Sequence, residues 1–418
     1  MAKQKTLTLE KLYGADALTI QEARYKMAIN AYESYFGKGK KENYRIFSAP
    51  GRAKICGSHT DHNNGKVFAA SINLDIIAIV EPIEANKIAI KSEGFEENGV
   101  WLENLDVQPE EANTANALIR GIVKGFLNRG FCIGGFKAYT VSAVPVGSGL
   151  SSSAAFEVLV GTILSHLYNN GVIDPVKIAQ IGKYAENIYF GKQCHLVDQI
   201  ASAAGGFVSI DFKDNDVPVV QNINLNFSSF GHHLCIVETG DPYDLTEDYN
   251  TIVSEMKQVA DFYGVKKLRQ ILRQDIVLNI TELRREVGDR AVLRALHFFD
   301  ENDRVSAMAF ALKEENFDDF LYLVSESGNS SYKYLQSVYS SSDVTRQEMA
   351  VGQYVANSIL KRKGAVRIHG EGVTGTLQAF VPSEFTKRFR LQIERIFGAG
   401  SCHVLTVRPF GAVELDIS

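Results

Sequence analysis

A short run of small and hydroxylated residues, from Pro145 to Ala155, carries the clearest chemical signal in the chain. It reads Pro-Val-Gly-Ser-Gly-Leu-Ser-Ser-Ser-Ala-Ala and lies between a strand-like stretch, 136–144, and apolar residues at helical spacing over 155–167. A turn of small residues that leads into a helix presents unpaired backbone N–H groups and the positive end of the helix dipole to an anion. The run therefore predicts a phosphate-binding turn.

This turn differs from the two commonest phosphate-binding motifs. No lysine follows it, as a P-loop requires, and Ser152 stands where a Rossmann motif has its third glycine. An ordinary serine-rich connection between a strand and a helix is the alternative interpretation. Three consecutive serines directly before a sustained helical pattern favour phosphate binding, because they add hydrogen-bond donors and a hydroxyl that can bind magnesium.

A second segment, 49–65, concentrates side chains that suit a sugar. His59, Asp61 and the two asparagines that follow can hydrogen-bond several hydroxyls, and Arg52 offers a planar fork of donors for phosphate. The alternatives are a polar loop with Asn-Gly turn chemistry or a metal site, since His59 and His62 flank Asp61. The number of hydroxyl-binding groups favours the sugar over the turn, and the turn over the metal.

Two carboxylates lie twelve residues apart, at Glu186 and Asp198. The first falls on a predicted helix near 175–189, and the second begins the next element, which is rich in small residues. Phosphoryl transfer to an alcohol needs one carboxylate for magnesium and another to accept the hydroxyl proton. A surface glutamate and a helix-capping aspartate are the alternative interpretations.

A third glycine-rich segment, Gly370-Glu371-Gly372-Val373-Thr374-Gly375, lies between two strand-like stretches near the C-terminus. Its glycine spacing is that of a dinucleotide-binding motif, but such a motif opens a helix and this segment leads into a strand. The dinucleotide interpretation therefore fails. A tight β-turn and a ligand-binding loop remain as alternatives.

Composition limits the classes of protein to be considered. With 418 residues, 45% hydrophobic and 22% charged, the chain can form two or three globular domains, or one large domain with two lobes. Its net charge of −5 gives no overall basic character, so neither nucleic acid nor an anionic membrane is an expected partner. The N-terminus lacks an apolar signal core, and the most apolar segment, 67–80, is too short to cross a bilayer. A cytoplasmic location is expected, and five dispersed cysteines favour reduced thiols.

The elements that must position these side chains fall into three regions. Residues 1–43 are polar and helix-prone, 44–225 mix strands with helices, and 226–418 are mostly helical until strands return after 365. Strands and helices alternate without a regular βαβ rhythm, so the predicted fold class is α+β rather than doubly wound.

Together, these four segments resemble motifs of the GHMP small-molecule kinases and, within them, of the galactokinases. The resemblance covers nearly the whole chain and preserves the order and spacing of the motifs. It implies a two-lobed α+β fold with a mixed sheet and helices in an N-terminal kinase domain, 44–225. The C-terminal kinase domain, 226–418, is expected to be helix-rich with an antiparallel sheet, and the active site to lie between the lobes.

The resemblance also implies an activity: ATP- and Mg²⁺-dependent phosphorylation of a hexose at its C1 hydroxyl, with galactose giving galactose 1-phosphate. Asp198 would be the base, Arg52 would stabilise it and the transferring phosphoryl group, and Ser153 and Glu186 would hold Mg²⁺. The expected nucleotide-binding residues are Pro145, Gly147, Ser148, Gly149, Leu150, Ser151, Ser152 and Ser153. The expected sugar-binding residues are Ser58, His59, Asp61, His195, Tyr249, Gly370 and Gly372.

Departures from the family pattern cluster around the sugar. They are Lys54 for asparagine, Cys56 for isoleucine, Ser58 for a glutamate that contacts the far end of the sugar, His62 for tyrosine and His195 for glycine. On the nucleotide side, Glu371 replaces a small residue. A carboxylate about 4 Å from a phosphate costs about 4 kcal/mol at an effective dielectric of about 20. Glu371 is therefore expected either to point outward or to weaken the nucleotide site.

These departures keep two alternative functions open. One is a kinase for a related sugar such as N-acetylgalactosamine, because Ser58 and His195 sit where the shape of the substrate would be sensed. The other is a non-catalytic sensor that binds sugar and nucleotide on a kinase scaffold. The sequence favours neither a monomer nor a homodimer.

Overall fold

Two β-sheets and the helices packed on them form the structure, a computed structural model that describes residues 7–40, 43–145, 147–240, 246–341, 343–372 and 375–416. The larger sheet contains eight described strands: β1 (Arg45–Cys56), β2 (Lys66–Ile83), β3 (Lys87–Ser92), β4 (Glu97–Trp101), β5 (Gly135–Ser142), β6 (Phe207–Asp211), β7 (Val219–Ile223) and β12 (Val413–Leu415). Their order is β12-β1-β2-β5-β3-β4, with β6 pairing to β2 and β7. The sheet is mixed, because β3 runs parallel to β5 whereas the other pairs are antiparallel.

The smaller sheet lies in the C-terminal half of the chain. Its described strands are β8 (His232–Glu238), β9 (Ala365–Ile368), β10 (Thr376–Pro382) and β11 (Cys402–Leu405). They follow the order β11-β8-β10-β9 and are all antiparallel. Every residue of β9 and β10 is buried, because helices cover this sheet.

Helices flank both sheets. The N-terminal half has α1 (Leu9–Tyr13), α2 (Leu18–Phe36), α3 (Ala115–Leu127), α4 (Ser152–Tyr168), α5 (Pro175–Ala185) and α6 (Val197–Ala204). The C-terminal half has α7 (Thr246–Phe262), α8 (Arg273–Leu278), α9 (Ile280–Val287), α10 (Asp289–Lys313), α11 (Phe317–Ser330), α12 (Glu348–Leu360) and α13 (Ser383–Phe397). Local sequence determines where α5 begins. The Asp174 carboxylate caps the helix by accepting from the Val176 N–H at 2.8 Å, and Pro175 occupies the first turn.

One core joins the two sheets. Phe68 on β2 stacks on Phe207 of β6 with ring centroids 5.7 Å apart. Phe207 contacts Phe320 of α11 at 6.0 Å, and Phe320 contacts Phe380 of β10 at 5.1 Å. All four rings are buried. Apolar packing therefore fixes the smaller sheet and α11 against the larger sheet, and the loops between them share a rigid frame.

Both ends of the chain attach to the larger sheet. The buried Asp75 carboxylate on β2 pairs with Arg24 of α2 at 2.6 Å and with Arg408 at 2.8 Å. Strand β12 pairs with β1, so 413–415 lie in the larger sheet although the sequence grouped them with the second lobe.

The predicted two-lobed α+β fold is confirmed by the mixed and antiparallel sheets. The boundaries at 43 and 225 stay a prediction, and residues 1–6 and 41–42 of the predicted N-terminal segment lie outside the described residues. Within the described ranges, no helix is both long enough and apolar enough to cross a membrane.

Candidate active site

The predicted phosphate-binding turn leads directly into α4. Gly147, Gly149 and Ser151 have φ angles of 81°, 75° and 58°, so left-handed residues alternate along the turn. Ser148 closes it by donating to the Pro145 carbonyl at 2.9 Å. The side chain of Ser151 makes no capping bond to α4, which leaves the first N–H groups of this helix to other acceptors. Such a turn before a helix suits an anion.

Arg52 on β1 and Asp198 on α6 form a two-pronged ion pair beside this turn. Arg52 Nε donates to Asp198 Oδ1 and Nη2 to Oδ2, each at 2.7 Å. The third guanidinium nitrogen, Nη1, donates to the carbonyl of Gly149, and the Ser151 hydroxyl donates to Asp198 Oδ2. Burial would raise the pKa of Asp198, but Arg52 outweighs it, and Ser151 adds to the lowering. Asp198 is therefore a carboxylate at neutral pH.

The predicted sugar segment, 49–65, covers the second half of β1 and the connection from β1 to β2. Gly57 has a φ of 89°, and a Cβ there would lie 2.5 Å from the Lys66 carbonyl oxygen, so only glycine fits. Helix α10 holds this connection from the other lobe. Glu301 accepts from the Gly57 N–H at 2.8 Å, and His297 Nε2 donates to the Ser58 carbonyl at 3.2 Å.

The charges of these two α10 residues follow from their surroundings. Burial lowers the pKa of His297 to about 4, so its imidazole is neutral and Nε2 carries the proton donated to Ser58. Burial would raise the pKa of Glu301, but Arg304 above all lowers it to about 2. Neither α10 residue was predicted from the sequence, although their spacing of four along one helix places both on one face.

Glu371 does not follow either alternative drawn from the sequence. Its side chain is only 18% exposed, and its carboxylate contacts the sugar segment rather than the phosphate-binding turn. Glu371 Oε1 pairs with Lys54 Nζ, and Oε2 accepts from the His59 N–H at 2.6 Å. Lys54 Nζ also contacts Asp61 Oδ2 at 3.1 Å. The glutamate of the third glycine segment therefore lies among the predicted sugar-binding residues.

Most other predicted sugar-binding residues come together here. The ring centroid of Tyr249 lies 4.9 Å from that of His59, and the Ser58 hydroxyl donates to the Gly370 carbonyl at 2.6 Å. His195 is exposed and lines, with Asp61, a cavity of about 210 Å³. Further lining residues of that cavity include His62, Lys183, Asn187, Gln193, Cys194 and Lys267.

Gly372 is placed differently from the other predicted sugar-binding residues. A Cβ at this glycine would lie 2.6 Å from the Ser337 carbonyl oxygen, and its φ is 87°. Its closest neighbour is therefore backbone of the C-terminal lobe rather than the sugar segment. Close packing and a left-handed conformation account for this glycine.

The residues expected to hold Mg²⁺ offer oxygen ligands. Glu186 is buried at the start of a π-helical turn (Glu186–Phe190), and Gln199 Nε2 donates to Glu186 Oε2 at 3.0 Å and to Glu157 Oε2 at 2.9 Å. Glu157 follows Ser153 by four residues, so both lie on one face of α4. Burial, together with Glu186, raises the pKa of Glu157 well above its usual value.

These residues fit a hard divalent cation. Glu157 Oε1 is buried without a hydrogen-bond partner among the described residues, and carboxylate and hydroxyl oxygens are what Mg²⁺ prefers. Mg²⁺ commonly binds through one or two carboxylates and the phosphates of its substrate. The described part of the chain has no cluster of three or more His, Cys, Asp or Glu side chains arranged for a metal. Glu157 was not predicted, although its spacing from Ser153 could have suggested it.

Comparison with known proteins identifies the class. Residues 117–206 match the family model for the GHMP kinases N terminal domain, and 30–82 match the galactokinase galactose-binding signature. The solved structure of Lactococcus lactis galactokinase complexed with galactose has a TM-score of 0.77 and 23% identity, covering 94% of this chain and 100% of that one. The structure of mevalonate kinase from Methanococcus jannaschii has a TM-score of 0.62 and 16% identity, covering 88% of this chain and 99% of that one. The fold is that of a GHMP kinase.

Curated relatives narrow the class to a family. Galactokinase of Glaesserella parasuis serovar 5 is 30% identical over 369 residues, which cover 86% of this chain and 90% of the relative. Galactokinase of Lactococcus lactis subsp. cremoris is 28% identical over 400 residues, covering 92% and 96%. The chain belongs to the galactokinase family of sugar kinases, as the resemblance predicted. Membership of a kinase family implies that it uses ATP.

Proposed function

We propose that this chain transfers the γ-phosphoryl group of ATP to the C1 hydroxyl of galactose and releases galactose 1-phosphate and ADP. The observation that carries the proposal is the ion pair of Arg52 and Asp198. It contacts the phosphate-binding turn through Gly149 and Ser151, and Arg52 itself belongs to the sugar segment, 49–65. The relatives named galactokinase support galactose as the acceptor.

In this proposal Asp198 receives the proton of the C1 hydroxyl as its oxygen attacks the γ-phosphorus and the bond to the β-phosphate oxygen breaks. A carboxylate with a lowered pKa is a weak base, but a loose phosphoryl-transfer transition state needs orientation more than base strength. Arg52 keeps the carboxylate ionised and aimed, and its charge favours the developing negative charge on the phosphoryl oxygens.

Ser153 and Glu186, with Glu157 beside them, are the residues we propose for Mg²⁺. The ion would neutralise charge on the β- and γ-phosphates when bound. The first N–H groups of α4 and the backbone of 147–153 would hold the same phosphates. On the sugar side, His59, Asp61 and Tyr249 would contact hydroxyls.

The cavity lined by Asp61 and His195 favours a second candidate acceptor. About 210 Å³ of space beside the sugar segment is enough for a substituent on the sugar ring, such as the acetamido group of N-acetylgalactosamine. This candidate keeps the same phosphoryl-transfer chemistry and changes only the acceptor.

A panel of hexoses and amino sugars with ATP and Mg²⁺, followed by phosphorus NMR of the products, tests the function. We expect a sugar 1-phosphate from galactose and a loss of about 10³-fold or more in kcat for Asp198→Asn, because the amide cannot accept the proton. Asp318→Asn, at an exposed position in the first turn of α11, is the matched control. The proposed reaction is wrong if the chain binds sugar without turnover, or if Asp198→Asn has the same kcat as the wild-type chain. Binding without turnover would favour the alternative of a non-catalytic sensor.

A further inference from the structure

Several side-chain contacts join the sugar segment to the third glycine segment. Glu371 pairs with Lys54 and accepts from the His59 N–H, while Ser58 donates to the Gly370 carbonyl. The side chains of Lys54 and Asp61 are only 4% and 5% exposed, whereas that of Glu371 is 18% exposed. The cluster is therefore buried at the ammonium and open at the Glu371 carboxylate.

The cluster has hydrogen-bonding capacity left for a ligand. A lysine ammonium has three donors, and among the described residues Lys54 uses two of them, on Asp61 and Glu371. Each carboxylate oxygen can accept more than one hydrogen bond. One donor is thus left on an ammonium that contacts two acceptors, and sugar hydroxyls, which both donate and accept, match this set of groups.

Position along β1 directs the cluster towards the reacting end of the site. Arg52, Ala53 and Lys54 pair in register with β2, so Arg52 and Lys54, two residues apart, project to the same face of the sheet. Arg52 holds Asp198, and Lys54 holds Asp61 and Glu371. Two cations on one strand face therefore organise two neighbouring sets of carboxylates.

We propose that Glu371 is a sugar-specificity residue, which Lys54 positions, and that it selects neutral hexoses with free hydroxyls against hexuronates. The inference rests on the proposed function and deepens it. Two carboxylates and one ammonium give the Lys54, Asp61 and Glu371 cluster a net charge of −1, which repels the carboxylate of a uronic acid. Such rejection of the wrong ligand by like charge is a common source of specificity.

Isothermal titration calorimetry tests this inference, because it measures the Kd of each ligand without requiring turnover. The probes are galactose, galacturonate and MgADP, each titrated into the wild-type chain and into Glu371→Gln. We expect the Kd for galactose to rise about 10- to 100-fold because a charged acceptor is lost. The Kd for galacturonate should fall, since the cluster becomes neutral, and the Kd for MgADP should stay within about twofold. Glu314→Gln, exposed near the end of α10, is the control.

A second variant keeps the inference testable if Glu371→Gln does not fold. It also distinguishes the effect of the negative charge from the effect of the side-chain length. Glu371→Asp keeps the negative charge but is one methylene too short to contact Lys54 and the His59 N–H together. We expect it to weaken galactose binding while still rejecting galacturonate. Lys54→Met should weaken galactose binding in the same way, because Glu371 loses the ammonium that positions it.

Two results would overturn the placement of Glu371: a loss of MgADP affinity with galactose unaffected, or no change in the preference between the two sugars. A wild-type chain that binds galactose but does not phosphorylate it contradicts the proposed function alone. A wild-type chain that binds neither sugar contradicts both.

Discussion

Replacing Arg52 with lysine tests how the reaction depends on geometry rather than on charge. In the structure the guanidinium makes three hydrogen bonds at once, two to Asp198 and one to the Gly149 carbonyl. Lysine keeps the positive charge, but its ammonium is a point charge without the planar fork. In Arg52→Lys, one hydrogen bond should therefore hold the Asp198 carboxylate, and the carboxylate should be less well oriented.

The size of the effect follows from the bonds lost. A hydrogen bond to a charged group contributes about 1.5–3 kcal/mol. The side chains of Arg52 and Asp198 are 11% and 31% exposed, so water can replace part of what is lost. We expect a loss of about 2–3 kcal/mol in the transition state, which is a fall in kcat of about 30- to 160-fold. The KM for the sugar should change little, because the hydrogen bonds of the Arg52 guanidinium are to Asp198 and the turn rather than to His59 or Asp61.

The assay is steady-state kinetics with galactose and ATP across pH, with Arg395→Lys at an exposed position of α13 as the control. Arg52→Met adds a second readout. Burial raises the pKa of Asp198 and Arg52 opposes it most strongly, so removal of the charge should move the acid limb of the kcat profile to higher pH. In Arg52→Lys that limb should move less. Wild-type kcat in Arg52→Lys, or a change confined to KM, would refute the orienting role.

Three further predictions concern residues around the same site. Ser151→Gly removes the hydroxyl that donates to Asp198, while glycine accepts the φ of 58°, so kcat should fall about 10-fold in the galactose assay with the Tm nearly unchanged. The pKa of Glu301 is lowered from 4.5 to about 2, so its ionised form adds stability that is fully present above pH 4.5 and lost as the pH falls towards 2. Urea unfolding should show that Glu301→Gln abolishes this acid dependence, which amounts to about 3 kcal/mol; an unchanged pH profile would contradict the assigned charge. Gly57→Ala places a Cβ 2.5 Å from the Lys66 carbonyl oxygen in a left-handed conformation, so unfolding free energy should drop by about 3 kcal/mol or more, and a drop under 1 kcal/mol would show that the turn relaxes.

Local patterns made parts of this molecule predictable. The turn and α4 could be predicted because glycine, serine and helical spacing all occur within one short window, and the helix ends at Tyr168, one residue after the apolar pattern ends. The pairing of Arg52 with Asp198 came only from the family resemblance, since 146 residues separate them. Nothing local signals the contact of Lys54 with Glu371, which are 317 residues apart. Glu301 and His297 were missed because a helix presents both to the other lobe, and one sequence does not reveal which face is buried.

The departures from the family pattern are best understood as one unit, because three of them meet in space. Arg367 donates to the Ser58 hydroxyl at 2.6 Å, and that hydroxyl donates to the Gly370 carbonyl, directly beside Glu371. A glutamate at position 58 would bring a second carboxylate next to Glu371 with Lys54 already shared by two acids. Conversely, Lys54 without Glu371 would leave a buried ammonium with Asp61 as its one acidic partner among the described residues. Lys54 and Glu371 therefore satisfy each other, and Ser58, where the resemblance leads us to expect a glutamate, holds the backbone directly before Glu371.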